Sequence, residues 1–600
     1  MPRCVRVNAE ATADSIQTTR RLSHCFIIIF ITALFSSTMD RRTRILSRSE
    51  IRSLIAQGRK VIIVDQKVLR ADAWLPYHPG GETSILHLVG RDATDEVHAL
   101  HSLEAQQRMN AYQIGRIEGR WKNMIPPIQG GIYLDTDDAI NQADNETASA
   151  VVREPSSAES SAAASPLFEP ADSDLRRRNP SGEVNTTSRR QSDTSLSSVS
   201  DLDDINSSAP AHIDKYTQKN LDLDHARYPS LDPLTQSEIV DRYRLLNEQI
   251  RAAGLYQCQY SAYLVEAFRY CLLFSGFLCC LHYSWFCASA LFLGLFWHQL
   301  VFTAHDAGHM GITHSFHLDT MIGIFIADFM GGLSIGWWKR NHNVHHIVTN
   351  SPEHDPDIEH LPFFAISPRF FEDLRSSYYN RIMPYDAFAR FAVRYQHYLY
   401  YPVLTLGRFN LYRLSWAYLL GSEAPRKGPA WWHRYLELAG QVFFWTWFGY
   451  FVLYRSIPTN GSRLLFLLVS HAITGPLHVQ ITLSHFAMST SDLGPSESFP
   501  QKMLRTTMDV DCPPWLDFVH GGLQFQAVHH LFPRIPRHNL RQVQKLVMQF
   551  CKDVKIPYAL YGFIDGNKQV VGRLEEVSRQ AKILAQCQKA VAGGGNNSMH

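Results

Sequence analysis

A chain of 600 residues is more than one hydrophobic core usually holds, so two or more domains are expected. Lys and Arg number 58 against 56 Asp and Glu, a formal charge of +2, and no basic stripe with interleaved aromatics is present, which argues against a nucleic-acid partner. Aromatic residues make up 12% of the chain and histidines number 28, a composition that points to membrane–water interfaces and to metal chemistry. The 10 cysteines form no CxxC pair, and Cys271, Cys279, Cys280 and Cys287 lie inside apolar runs, where a free thiol behaves as a small hydrophobe.

Residues 1–38 contain one apolar run, Phe26–Phe35, about half the length of a membrane span. Met39-Asp40-Arg41-Arg42 makes a natural start, so 1–38 is read as a mis-assigned or disordered N-terminal extension. Residues 39–121 form a compact module of short strands, such as Val61–Val64, and short helices. It carries His78-Pro79-Gly80-Gly81, then Asp92-Ala93-Thr94-Asp95, then His101-Ser102, 23 residues after His78. Two histidines on loops beside tight turns suit the two faces of one iron. Two strong nitrogen ligands leave no open position, so such a haem carries electrons and does not bind oxygen.

Residues 122–230 are Ser-rich and apolar-poor, and are expected to be a disordered linker. Arg189-Arg190-Gln191-Ser192 in it fits a basophilic kinase site. Within 231–570, Leu264–Leu281 with Trp285–Phe302, and Leu436–Leu453 with Arg463–Leu483, read as two pairs of membrane spans. Met321–Trp338 reads as a dipping segment and Tyr398–Leu420 as interfacial. Four spans put every histidine-bearing segment on one side, which the basic loops make cytosolic. Residues 571–600 are expected to be a C-terminal tail.

Three clusters bring histidines to helical spacing: His305 with His309, His342 with His345 and His346, and His529 with His530 three residues after Gln526. Residues i and i+3 or i+4 share a helix face, so each cluster aims imidazoles at one point. That many imidazoles without cysteine exceed a four-ligand structural zinc site and are enough for two metals.

The segment 45–120 resembles the cytochrome b5 family on the HPGG and His-Ser motifs. This resemblance implies haem b held by His78 and His101, with His87 and His98 left as surface residues. The segment 250–565 resembles the membrane fatty-acyl and sphingolipid desaturases. The resemblance rests on the three clusters, on Thr349-Asn350 with Asp355-Pro356-Asp357, and on His529-His530-Leu531-Phe532-Pro533 with Pro536-Arg537-His538-Asn539. It implies two irons held by His305, His309, His342, His345, His346, His529, His530 and one more histidine. That last ligand matches His485, with His478 as the rival, while His314, His317, His354 and His360 match no motif position. Gln526 in the first position of the third cluster marks the front-end branch, where its amide is implied to be a weak ligand or a contact of one.

The implied fold is an α+β cytochrome b5-like haem domain, a disordered linker, and an all-α four-helix transmembrane desaturase domain with a cytosolic helical cap. The implied enzyme is an O2-dependent oxidoreductase of the endoplasmic reticulum membrane, fed with NADH electrons through a cytochrome b5 reductase. The Ser-rich insertion and the Pro-Arg-Ile-Pro-Arg-His-Asn run resemble fungal enzymes that desaturate the ceramide long-chain base at position 8. Front-end fatty acyl desaturation at position 5 or 6 is the alternative, and a lipid hydroxylase on the same di-iron scaffold is the alternative of another class.

Overall fold

The computed structural model describes residues 42–131 and 222–594. The expected extension 1–38, most of the expected linker and its kinase motif lie outside the described residues.

The N-terminal module is built on a three-stranded antiparallel sheet, β1 (Val61–Val64), β2 (Lys67–Arg70) and β3 (Gln113–Arg116), in that order. The β1–β2 turn is only Asp65-Gln66, both at positive φ (50° and 60°), the short turn whose twist matches paired strands. Helix α1 (Arg48–Ala56) starts on a capping box between Ser47 and Glu50 and buries Ile51 and Ile55. Helices α2 (Glu82–Leu86) and α3 (Thr94–Leu100) carry the loops with the two histidines of interest at their flanks. The sequence reading starts the linker at 122, but the chain is still packed there. Met124 is buried and donates its N–H to the Gly90 carbonyl, which also accepts from Trp121 Nε1. The boundary lies later because these contacts use a backbone carbonyl, which composition does not reveal.

The rest of the described chain is largely helical. Helices α4 (Tyr260–His282) and α5 (Phe286–Gly308) form a tight hairpin, and Asn460–Phe486 is a third helix of spanning length and apolarity. Leu264, Val265, Phe268 and Leu272 on α4 face outward, a surface that suits lipid and would be costly in water. The expected span Leu436–Leu453 is a helix from His433 to Phe444 that continues as a π-helix over Trp445–Ser456. It is not among the three helices of spanning length and apolarity found among the described residues. The expected dipping segment falls in a broken pair, Phe316–Met330 and helix α6 (Ile335–Val348), which meet at 117°.

The expected C-terminal tail is instead the greater part of one helix, Phe563–Gly594. Val570, Leu574 and Val577 are fully buried in the core that also holds Leu483 and Phe486. Their spacing of four and three residues is an apolar helix face that runs past the boundary drawn at 570.

The N-terminal module packs on the helical domain. Ile62, Val64, Leu69, Leu88 and Val97 share one apolar cluster with Val344, Ile347 and Val348 of α6. Asp95 pairs with Arg244 at 2.8 Å, and Asn123 donates to the Pro495 carbonyl at 3.0 Å. His87, expected on the surface, is 1% exposed: its ring lies 5.2 Å from that of His354, and Gln129 and Ser377 contact its two nitrogens. Its burial depends on this interface, so no pattern within the module alone reveals it. His98 remains partly exposed beside Asp65.

Candidate functional site

The three histidine clusters converge. His305 and His309 end α5, His342, His345 and His346 occupy the second half of α6, and His529 and His530 lie on the short helix Gln526–Leu531. One ring nitrogen from each of His305, His309, His342 and His529 lies within 4.8 Å of the others, and the same holds for His345, His485 and His530. His346 stands between the two groups, with its Nε2 3.1 Å from that of His342 and its ring stacked 4.2 Å from that of His530.

The donor atoms themselves indicate what fits there. Nε2 of His305, His309, His529 and His530, and Nδ1 of His346, are buried with no hydrogen-bond partner among the described residues. Buried polar atoms rarely stay unpaired, and two metal ions would satisfy all of these at once. Burial, reinforced by neighbouring imidazoles, holds His529 and His530 well below the ordinary imidazole range, so both are neutral and able to ligate.

A second layer orients the rings. Asp355, fully buried, places both carboxylate oxygens 2.9 Å from His345 Nδ1, which turns Nε2 toward His485 and His530. The carboxylate also accepts the N–H groups of Asn350 at 2.7 Å and Asp357 at 2.9 Å. Asn350, at φ 58° just past the end of α6, sends its amide to the His485 carbonyl at 2.9 Å and so ties two histidine segments together. Trp338 stacks on His342 at 4.4 Å. Asp509 pins the third cluster by accepting the Ala527 N–H at 2.8 Å, with Gln544 and Tyr558 on its other oxygen. Burial pushes its carboxyl up to about 6. Arg537 bridges Asp306, beside His305, to Glu266 on α4.

Asp355, Asp357, Asn350 and Arg537 stand in the motifs that the sequence reading noted, yet their roles could not be read there. Trp338 and Asp509 carry no motif signal. His478 joins neither group, since its Nδ1 lies 2.9 Å from the Leu404 carbonyl. Nor do His314, His317, His354 or His360: both nitrogens of His314 meet backbone carbonyls, and His317 lies against His433. Gln526 is buried at the start of its helix, three residues before His529, and its side chain has no hydrogen bond among the described residues.

In the N-terminal module the rings of His78 and His101 face each other with centroids 5.9 Å apart. His78 Nδ1 lies 2.7 Å from the Gly81 carbonyl, which leaves Nε2 for the space between the rings. That gap fits one iron bound at about 2 Å on either side. Burial, with His78 adding, pushes His101 down to about 3, so it is neutral as a haem ligand must be.

Residues 283–562 match the fatty acid desaturase family, and residues 47–118 match the cytochrome b5-like heme/steroid binding domain. The chain is 58% identical, over 93% of its length and 98% of the relative's, to a Delta 8-(E)-sphingolipid desaturase of Emericella nidulans. It is 44% identical to one from Candida albicans, over 92% and 99%. An acyl-lipid (9-3)-desaturase of Borago officinalis is 36% identical over 61% of this chain and 81% of its own. The chain belongs to the membrane fatty acid desaturases that carry their own cytochrome b5 domain.

Proposed function

We propose that the protein introduces a trans double bond at position 8 of the long-chain base of ceramide or glucosylceramide. The observation that carries this reading is the paired imidazole site, seen together with 58% identity to a Δ8-sphingolipid desaturase over nearly the whole chain. The acyl-lipid relative is both less similar and aligned over less of the chain, which ranks acyl chains second.

In this reading His305, His309, His342, His345, His346, His485, His529 and His530 hold two irons, and His78 and His101 hold haem b. When bound, the irons supply reductive activation of O2 and removal of hydrogen from an unactivated methylene, which no side chain achieves alone. One O2, two electrons, two protons and two vicinal substrate hydrogens become a double bond and two waters. The protein's part is to hold His529 and His530 neutral by burial, to aim His345 through Asp355 and the His485 segment through Asn350, and to exclude water. Gln526, on the same helix as His529 and His530, is a contact of one metal ligand or a weak ligand itself.

Electrons enter singly from NADH through a separate reductase and the fused haem domain. The enzyme sits in the endoplasmic reticulum membrane on four spans, with 433–456 as the third. The haem domain, the histidines and a helical cap lie on the cytosolic side. Lipid analysis of a yeast without its own Δ8 activity, expressing this chain, tests the reading. Long-chain bases unsaturated at C8 are expected; unsaturated acyl chains alone, or hydroxylated bases alone, would overturn it.

A further inference from the structure

Helix α6, which carries His342, His345 and His346, starts at the sharp corner of the bent pair, and side chains meet the backbone groups freed there. On the incoming side, the carbonyls of Phe329, Met330 and Gly331 accept from Trp447 Nε1 at 2.9 Å, Trp297 Nε1 at 2.9 Å and Arg408 Nη2 at 2.6 Å. On the outgoing side, the first N–H groups of a helix have no partner within it. Ile335 donates to Asp328 Oδ2 at 3.4 Å, Gly336 to Glu437 Oε2 at 3.1 Å, and Trp337 to the Ser334 hydroxyl oxygen at 3.0 Å. The Ser334 hydroxyl donates in turn to the same Glu437 oxygen at 2.5 Å.

Glu437 and Gln441 stand four residues apart on the helix His433–Phe444, and Gln441 donates to Asp328 Oδ1 at 2.9 Å. A Cβ on Gly440, between them, would lie 2.7 Å from the Phe329 ring, so this helix presses directly on the corner. Asp328, Ser334, Glu437 and Gln441 are all buried. A carboxylate and an amide on an expected membrane span are costly unless they are used, and both are used here on the corner. Negative charge at a helix N-terminus is also favoured by the helix dipole. The anchor acts through a long lever: His342 lies eight residues beyond Ser334, about 12 Å along the helix axis. A tilt of about 5° at the anchor would carry its ring about 1 Å away, an error that costs about 100-fold in rate elsewhere.

We infer that Glu437 is a positioning residue for the metal site: it ties the first turn of α6 to a separate helix and so fixes where His342, His345 and His346 stand. This inference rests on the reading of those histidines as iron ligands. Asp328 shares the task through the Ile335 N–H, but it belongs to the same bent pair as α6.

The test compares Glu437→Met, which keeps the length and removes both acceptor oxygens, with Glu437→Gln, which keeps one. In the purified full chain, hydrogen exchange of the Ile335–Trp338 amides should quicken about tenfold in the Met variant. Its iron affinity over a chelator series should fall about tenfold, and kcat should fall with KM for ceramide unchanged. The Gln variant should stay near wild type in all three. Haem absorbance and melting temperature serve as folding controls. If the Met variant does not fold, Ser334→Gly replaces it. Glycine suits the start of a helix, so that change mainly removes the hydroxyl that joins α6 to Glu437, and the same losses are expected. Wild-type exchange and iron affinity in Glu437→Met, or in Ser334→Gly where it stands in, would overturn the inference. So would iron loss that only parallels a fall in melting temperature and is not rescued by Gln. A wild-type chain that binds no iron would instead overturn the iron reading, while hydrogen exchange still tests the anchor.

Discussion

Asp355→Asn removes one charge and one acceptor from a side chain that is fully buried and occupied on both oxygens. The carboxylate faces three N–H donors, from His345, Asn350 and Asp357, at 2.7–2.9 Å. An amide keeps one acceptor oxygen and turns an NH2 toward one of those donors. A hydrogen bond to a charged group is worth about 1.5–3 kcal/mol and a neutral one about 0.5–1.5 kcal/mol. The His345 contact should therefore weaken by about 1–2 kcal/mol, or about 5- to 30-fold in the affinity of the His345–His485–His530 group for metal. Carboxylates behind metal-bound histidines elsewhere cost about 10- to 100-fold when changed, which overlaps the upper part of this range. The assay is iron per chain over a chelator series, normalised to haem absorbance, which reports on folding through a different domain. Half the wild-type iron, with haem intact, is the expected result at intermediate chelator. Wild-type iron retention and turnover would refute the orienting role of Asp355.

His78→Ala should abolish the bis-histidine absorbance and product formation while leaving iron content unchanged; full activity without haem would show that a free cytochrome suffices. Leu574→Ala, at a fully buried site in the C-terminal helix, should cost about 2–5 kcal/mol of stability, read as a lower melting temperature. An unchanged melting temperature would return that segment to the status of a tail. His529 and His530 are held below their unfolded value near 6.5, so the stability and metal binding they contribute are present above that pH and lost as pH falls through it. Iron release measured from pH 8 to 5 should rise below about 6.5; a flat profile would contradict neutral-imidazole ligation. Gln526→Ile should lose most product per iron and Gln526→His retain part of it, whereas normal turnover in the isoleucine variant would remove Gln526 from the metal site.

The histidine clusters were legible in the sequence because chemistry and periodicity coincide: imidazoles at three- and four-residue spacing on apolar helices have few other uses. The long apolar helices over Leu264–Leu281 and Trp285–Phe302 were legible for a related reason, since an uninterrupted apolar run of that length must be hidden from water on every side. The division of the histidines into two groups was not legible, because it depends on how α5, α6 and two later helices cross. Asp355 was visible as a motif yet silent as to role, since only the fold brings its carboxylate to His345 Nδ1, ten residues back along the chain. Composition alone mistook the last helix for a tail: Val570, Leu574 and Val577 sit among polar residues whose average masks one apolar face. The burial of His87 arises at the contact between domains, where neither partner's sequence carries a sign of the other.

The central claim is that one chain joins a haem electron donor to a two-iron desaturation site for sphingolipid bases. Purified full-length protein, given NADH, cytochrome b5 reductase, O2 and a ceramide with a saturated long-chain base, tests it most directly. The account predicts a base with one new double bond between C8 and C9, formed with one O2 and one NADH consumed per product and lost on chelation of iron. A product desaturated only in the acyl chain, a hydroxylated base, or turnover that survives iron removal would contradict it.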